Sequence, residues 1–348
     1  MVNNIFNIKT ESEFKQKCLE TFCYQYENVM VYRKFVDFLN INPDSVDEVE
    51  KIPFLPIEMF KNHQVLDKVF DSAQTDKPVN FFQSSGTTQM LNRSKHYIAD
   101  FSLYEESIYK SFEQFIGKPE DYIFLGLLPN YSENPHSSLI YMVDFLMKKS
   151  GRPENGYFLY NHSELFDLLK NLNDKKVILF GVSFALLDFL DFCQAEFSKT
   201  SHSPLHVFTP SLKIIETGGM KGRKEEMTKD ELLTILKNGY GTEQIFSEYS
   251  MTELLSQAYS LGENIYETPN WMRVSIRSTE DPFSYVKDGR NGAINIIDLA
   301  NRHSCSFIAT QDLGSVRKLE TKKSIHPAFS VAGRIDHSDI RGCSLLIS

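Results

Sequence analysis

Two short segments of this chain carry side chains suited to holding phosphate. Ser84-Ser85-Gly86-Thr87-Thr88 follows the strand-like Phe81-Phe82-Gln83. Hydroxyl residues around a glycine let backbone N–H groups and side chains close on phosphate oxygens with no Cβ in the way. The segment lacks the lysine of a P-loop. The second, Ser247-Glu248-Tyr249-Ser250-Met251-Thr252-Glu253, sets a hydroxyl beside a carboxylate after a predicted strand. Thr252 would reach a phosphate and Glu253 a hard divalent cation such as Mg²⁺. Taken singly, the first also reads as a Ser/Thr turn and the second as a helix cap with a first-turn acid. The pair points to a nucleotide.

Positioning such groups calls for strands that end side by side. Apolar residues recur at helical spacing over 11–39 (Phe14, Cys18, Phe22, Tyr26, Val29), and 52–56 reads as an extended connector. Helices are predicted near 100–115, 137–148 and 184–197, and buried strands near 122–128, 177–182 and 214–217. This alternation predicts an α/β fold with a mainly parallel sheet flanked by helices. From Gly289 onward the pattern changes to short strands, at 293–299, 306–310 and 316–319. The expected organisation is an N-terminal helical region (1–80), an α/β core (81–288) and a small β-rich subdomain with a C-terminal tail (289–348).

Composition narrows the function. The 348 residues are 41% hydrophobic and 24% charged, ordinary for a soluble globular protein, with 27 Phe and 16 Tyr that serve either a thick core or an apolar ligand pocket. A formal charge of -9 without a Lys/Arg block argues against nucleic acid as partner. No apolar run approaches the roughly 20 residues of a membrane span. The polar start, Met1-Val2-Asn3-Asn4, lacks a signal-peptide pattern, so a cytoplasmic protein is expected. The five cysteines show no metal-ligand spacing; Cys18, Cys23 and Cys193 are expected to be small buried hydrophobes. Cys343, after Arg341-Gly342, stands apart.

Read in order, five segments resemble the adenylate-forming enzyme superfamily. Ser84–Thr88 is similar to its phosphate loop, Glu216-Thr217-Gly218-Gly219 to its adenine-side loop and Tyr249–Glu253 to its aromatic-Gly-x-Thr-Glu motif. Thr310-Gln311-Asp312-Leu313-Gly314 resembles its Thr-Gly-Asp-x-Gly, and Gly333-Arg334-Ile335-Asp336 its hinge motif. Within the superfamily, the length and the ending Arg-Gly-Cys-Ser-Leu-Leu most resemble the LuxE-type acyl-protein synthetases. There are departures. Arg93 or Lys95 would replace the usual loop lysine, Ser250 and Gln311 replace glycines, and the small C-terminal domain with its catalytic lysine is expected to be missing.

The resemblance implies a role for each position. Ser84, Ser85, Gly86, Thr87 and Thr88 would hold the β- and γ-phosphates of ATP. Gly218 and Gly219 would bring backbone close to adenine, Tyr249 would belong to the nucleotide site, Asp312 would accept from the ribose hydroxyls, and Arg334 would contact the ribose or phosphate. Thr252 would hold the α-phosphate and Glu253 bind Mg²⁺. Cys343 would accept the acyl group as a thioester, and His136 would face the acyl site or deprotonate a thiol. The expected activity is ATP-dependent activation of a fatty acid as acyl-AMP, followed by transfer to Cys343 for a partner reductase or acyltransferase. The alternatives are transfer to coenzyme A or a carrier thiol, and an adenylation fold that binds without catalysing.

Overall fold

A capping box starts the first long helix: Thr10 Oγ1 accepts from the Glu13 N–H at 3.2 Å, and the Glu13 carboxylate accepts from the Thr10 N–H at 3.1 Å. The helical pattern over 11–39 becomes α1 (Glu11–Asn28) and α2 (Met30–Phe38), broken at Val29, which bridges to Asp67. The structure, a computed structural model, describes residues 2–70, 80–85, 93–129, 132–172, 174–200, 211–218, 227–317 and 323–335. After α2 come β1 (Leu55–Pro56), α3 (Met59–Asn62), β2 (Asn80–Gln83), β3 (Lys95–Ile98) and α4 (Phe101–Phe115). Then follow β4 (Ile123–Leu127), α5 (Ser138–Ser150), β5 (Gly156–Tyr157), α6 (His162–Asn171), β6 (Val177–Val182), α7 (Ser183–Thr200), β7 (Leu212–Thr217), α8 (Lys229–Tyr240) and β8 (Ile245–Tyr249). The last strands are β9 (Ala258–Ser260), β10 (Tyr266–Glu267), β11 (Met272–Arg277), β12 (Gly292–Asp298), β13 (Phe307–Arg317) and β14 (Ala328–Arg334).

Among the described residues one 12-stranded sheet runs β11-β12-β13-β14-β10-β9-β8-β7-β6-β4-β5, with β1 beside β13. The strands β5-β4-β6-β7-β8 pair in parallel, and pairing turns antiparallel at β9. Every residue of β4 and β6 is buried, as strands covered on both faces require. Phe112 of α4 packs on Phe124 with ring centroids 5.5 Å apart, and Met147 of α5 lies at Gly126. Leu186 of α7 lies instead at Gly181, and α8 joins α7 through Phe189 and Tyr240. Since Phe124 pairs with Ile178, out of phase with Gly181, the α4/α5 and α7/α8 layers cover opposite faces. Fully buried Phe22, Phe112, Phe124, Phe180, Phe307 and Phe329 show how much of the aromatic surplus goes into packing.

Two expected features take a different form. The connector at 52–56 ends as β1, with Leu55 and Pro56 paired to Ile308 and Ala309. The strands expected at 306–310 and 316–319 are one strand, β13, which runs through the Thr310–Gly314 motif; the β-rich region joins the parallel strands through β14 and β10. The register of β13 on β14 shifts at Leu313/Gly314, and a Cβ on Gly314 would lie 2.2 Å from the Ser330 carbonyl oxygen. Backbone cannot yield there as a flexible side chain can. Gly314→Ala is expected to cost at least about 2 kcal/mol, read as a lower urea midpoint.

Candidate functional site

β7 and β8 end together, with Thr217 paired to Glu248, and the next strand reverses direction. The ligand crevice of an open α/β sheet lies outside the carboxyl ends of its parallel strands. The segment leaving β8 into it is fastened by Asp298, whose buried carboxylate accepts from Leu255 N (2.7 Å), Ser256 N (3.0 Å), Ser256 Oγ (2.6 Å) and Ala300 N (3.2 Å). Asn301 Nδ2 donates to the carbonyls of Glu253 (2.7 Å) and Cys305 (2.9 Å), which leaves its Oδ1 facing His96 Nε2 at 2.9 Å. His96 Nδ1 lies 2.8 Å from the Thr252 carbonyl. Burial pushes His96 down to about 4, so near neutral pH its ring holds one N–H between two oxygen acceptors. His96 thus sets β3 against the backbone of Thr252 and the side chain of Asn301.

Tyr249, Asp312 and Arg334 meet at the other side of this segment. The Tyr249 hydroxyl donates to Asp312 Oδ2 at 2.7 Å, and Arg334 Nε donates to Oδ1 at 3.2 Å. Asp312 and Arg334 are direct cross-strand partners on β13 and β14. Burial, then the Asp312 charge, raises Tyr249 well above its ordinary range and keeps it a donor. Glu253 is buried; burial raises its carboxyl, against the neighbouring Ser94 hydroxyl and the Arg334 charge, while Asp312 adds to the rise. No ion pair to Glu253 forms among the described residues. A buried carboxylate with no ion pair among the described residues has the donor chemistry of a hard-cation ligand, and Glu253 is the residue that would hold a divalent metal.

The remaining candidates fall around this centre. Ser84 lies at the mouth of the β2–β3 hairpin, where its N–H donates to Ser94 O at 3.0 Å and its Oγ accepts from Ser94 N at 3.1 Å. Ser85 follows, exposed; Gly86, Thr87 and Thr88 lie outside the described residues. Lys95 caps the Phe81 ring at 5.0 Å. Gly218 closes β7 at φ +76°, a conformation that favours glycine, while Gly219 lies outside the described residues. Beneath it the Glu216 carboxylate is buried against Ser183 and Lys229. Burial pulls Lys229 down and Glu216 outweighs it, so the ammonium stays charged. His136 is exposed, stacked on Phe81 with centroids 4.5 Å apart and Nδ1 3.2 Å from the Phe81 carbonyl; the cap of α5 is Ser137.

Cys343, like Asp336, Arg341 and Gly342, lies outside the described residues. Of the other cysteines, Cys18, Cys193 and Cys305 are buried, with thiols pushed up by burial, to about 12 for the latter two. Cys23, expected to be buried, is exposed on α1, because the buried stripe there runs through Phe14, Cys18, Phe22 and Gln25. Sequence reasoning missed His96, Asp298 and Asn301. Each is a lone polar residue whose partners lie on other segments, and no local pattern marks it.

The model of the family described as "Acyl-protein synthetase, LuxE" matches residues 144–348. The chain belongs to that family. No protein of curated function matches this LuxE-family chain by sequence. Its fold is similar to that of 2-hydroxyisobutyryl-CoA ligase. An open form of that enzyme with 2-HIB-AMP and CoA gives a TM-score of 0.67 at 11% identity, covering 94% of this chain and 70% of the ligase. The thioesterification state gives 0.66 at 12% identity, covering 94% and 68%. An ATP-bound RpMatB-BxBclM chimera gives 0.51 at 12% identity, covering 73% and 47%. At these identities the likeness is one of fold. Family and fold together support ATP-dependent acyl activation, the work of an adenylate-forming ligase.

Asp298 offers a test of how the site is held. Burial pushes it up to about 6, against the Ser256 hydroxyl and three backbone N–H groups. A carboxyl with a raised folded pKa binds its proton more tightly when folded. Its contribution is therefore fully present below the unfolded value near 4 and is lost as pH rises through about 6. Wild-type stability is expected to fall by up to roughly 3 kcal/mol over that window on account of this group. Asp298→Asn should flatten that limb in urea unfolding followed from pH 4 to 7.

Proposed function

We propose that the crevice at the ends of β7 and β8 activates a fatty carboxylic acid with ATP and passes the acyl group to Cys343. The observation that supports this most is the meeting of Tyr249, Asp312 and Arg334 beside the Thr252–Glu253 segment. A nucleoside needs an aromatic surface and a carboxylate for its ribose hydroxyls, and the phosphates need a hydroxyl and a cation site one step away. Tyr249 would line adenine, Asp312 would accept from the ribose and Thr252 would hold the α-phosphate. Glu253 would hold Mg²⁺, which neutralises phosphate charge when bound. The Ser84–Thr88 loop would close on the β- and γ-phosphates.

In the first step a substrate carboxylate oxygen attacks the α-phosphorus and the bond to pyrophosphate breaks. In the second, the Cys343 thiolate attacks the acyl carbon and AMP leaves, giving a thioester for a partner reductase or acyltransferase. Catalysis rests on positioning and charge neutralisation. The CoA held by the structurally similar ligase supports a second reading, transfer to coenzyme A or a carrier thiol.

Incubation with ATP, Mg²⁺ and fatty acids is expected to add an acyl mass to the intact chain, removable by hydroxylamine. The adduct should be absent from Cys343→Ser and retained in Cys23→Ser, which controls for the exposed thiol on α1. An adduct that survives in Cys343→Ser would sink the self-acylation step, and turnover of that variant with added coenzyme A would favour the second reading. A second expectation concerns the cation. Glu253→Gln should slow acid-dependent pyrophosphate exchange about 100-fold or more. Because burial raises Glu253, and its ionised form is the one that binds a cation, the Mg²⁺ requirement of the wild type should rise as pH falls. In Glu253→Gln the apparent Mg²⁺ affinity should no longer follow pH.

A further inference from the structure

Among the described residues, five polar atoms lie buried without partners where β8 meets β9: Ser247 Oγ and Ser260 Oγ, a cross-strand pair on one face, and Glu248 Oε1, Tyr259 OH and Gln257 Oε1, of which Glu248 and Tyr259 stand on the other. Glu248 and Tyr259 are direct cross-strand partners, 4% and 0% exposed, so both side chains stand on one face of the sheet. It is the α4/α5 face, since Phe112 and Phe115 of α4 pack on the Tyr259 ring. Gln257, 1% exposed, immediately precedes Ala258, the first residue of β9, and donates from Nε2 to Leu255 O at 3.3 Å, which assigns its open atom as the oxygen. Glu248 accepts from Thr217 Oγ1 at 2.5 Å through its other oxygen. The Ser250 hydroxyl, at the motif's usual glycine, lies beside the same carboxylate. Buried polar atoms are nearly always paired, and Glu248 Oε1, Tyr259 OH and Gln257 Oε1 open beside the helices α4 and α5 call for a ligand.

Their place says which part of the substrate would supply it. Adjacent residues of a strand point to opposite faces, so Glu248 points away from Tyr249 and the Asp312–Arg334 pair. On its side stand the rings of Phe82, Phe101, Tyr104 and Tyr141, with centroids 5.1 to 5.8 Å apart, an aromatic wall suited to a carbon chain. We propose that Glu248, Gln257 and Tyr259 form a polar subsite for the acyl chain, and that the acid activated here carries a hydrogen-bond donor, a hydroxyl or an ammonium, on that chain. The inference rests on the ligase reading above. Two of the open atoms only accept, and the phenol both donates and accepts. A donor group satisfies them, a carbonyl meets two like oxygens, and a bare methylene leaves all three unpaired.

The test is pyrophosphate exchange by the full chain with size-matched acids that carry, at successive carbons, no substituent, a hydroxyl, an ammonium or a keto group. At one position the hydroxyl or ammonium acid should exceed both the unsubstituted and the keto acid by about tenfold or more in kcat/KM. The two donor arms identify which group is used. Glu248→Gln, which offers a donor in place of an acceptor, should bring that ratio to about one or turn it toward the keto acid. Tyr259→Phe should lower it several-fold and carries the test if the Glu248 variant fails to fold. Unsubstituted acids that turn over as fast as every substituted one would overturn the inference, leave the ligase reading standing and mark the three atoms as a buried water site. No exchange with any acid would remove the ligase reading and the subsite with it.

Discussion

The carboxylate of Asp298 holds the turn from which the candidate site hangs. Four donors converge on it from residues 255, 256 and 300, so the chain leaving β8 and the chain leaving β12 are fixed to one buried charge. Asn301, three residues on, then orients the Glu253 carbonyl and meets His96, which faces the Thr252 carbonyl. A peptide carbonyl held from outside fixes the direction of the side chain beside it. This is how residues far apart in the chain come to hold Thr252 and Glu253 in a turn, outside any helix or strand.

Support reaches further out, to the N-terminal helix. Gln25 of α1 is fully buried and spans the 301–306 turn: its Nε2 donates to Asn301 O at 3.0 Å and Arg302 O at 2.8 Å, and its Oε1 accepts from Ser306 N at 3.0 Å. The residues just after β1 contribute likewise, since Glu58 accepts from Gln311, the residue that stands where the motif usually has glycine. Ser250 at the other such position lies beside Glu248. Both departures from the motif thus put a polar side chain in reach of a carboxylate.

What could be read in the sequence was whatever repeats locally. The helix over 101–115 and the strands at 123–127 and 177–182 lie within a residue or so of their expected places, because a buried apolar run or a helical stripe is its own signal. Tyr249, Thr252, Glu253, Asp312 and Arg334 were legible through motifs, and the structure brings them into one region; their roles stay with the proposed reaction. The short strands β9, β10 and β11 escaped, since two to six residues give too little periodicity, and β13 looked like two strands because polar motif residues interrupt its apolar alternation. Asp298, Asn301 and His96 escaped for another reason. A buried polar residue is specified by its partners, and theirs lie up to 205 positions away.

The junction of β14 with β10 has a consequence for binding. Tyr249 on β8 and the Asp312–Arg334 pair on β13 and β14 belong to one continuous hydrogen-bonded sheet, with only β9 and β10 between β8 and β14. No flexible connection separates the ring from the carboxylate, so their spacing is settled when the chain folds. A nucleoside arriving there would meet a surface already in shape, and little of its binding free energy would be spent on ordering the protein.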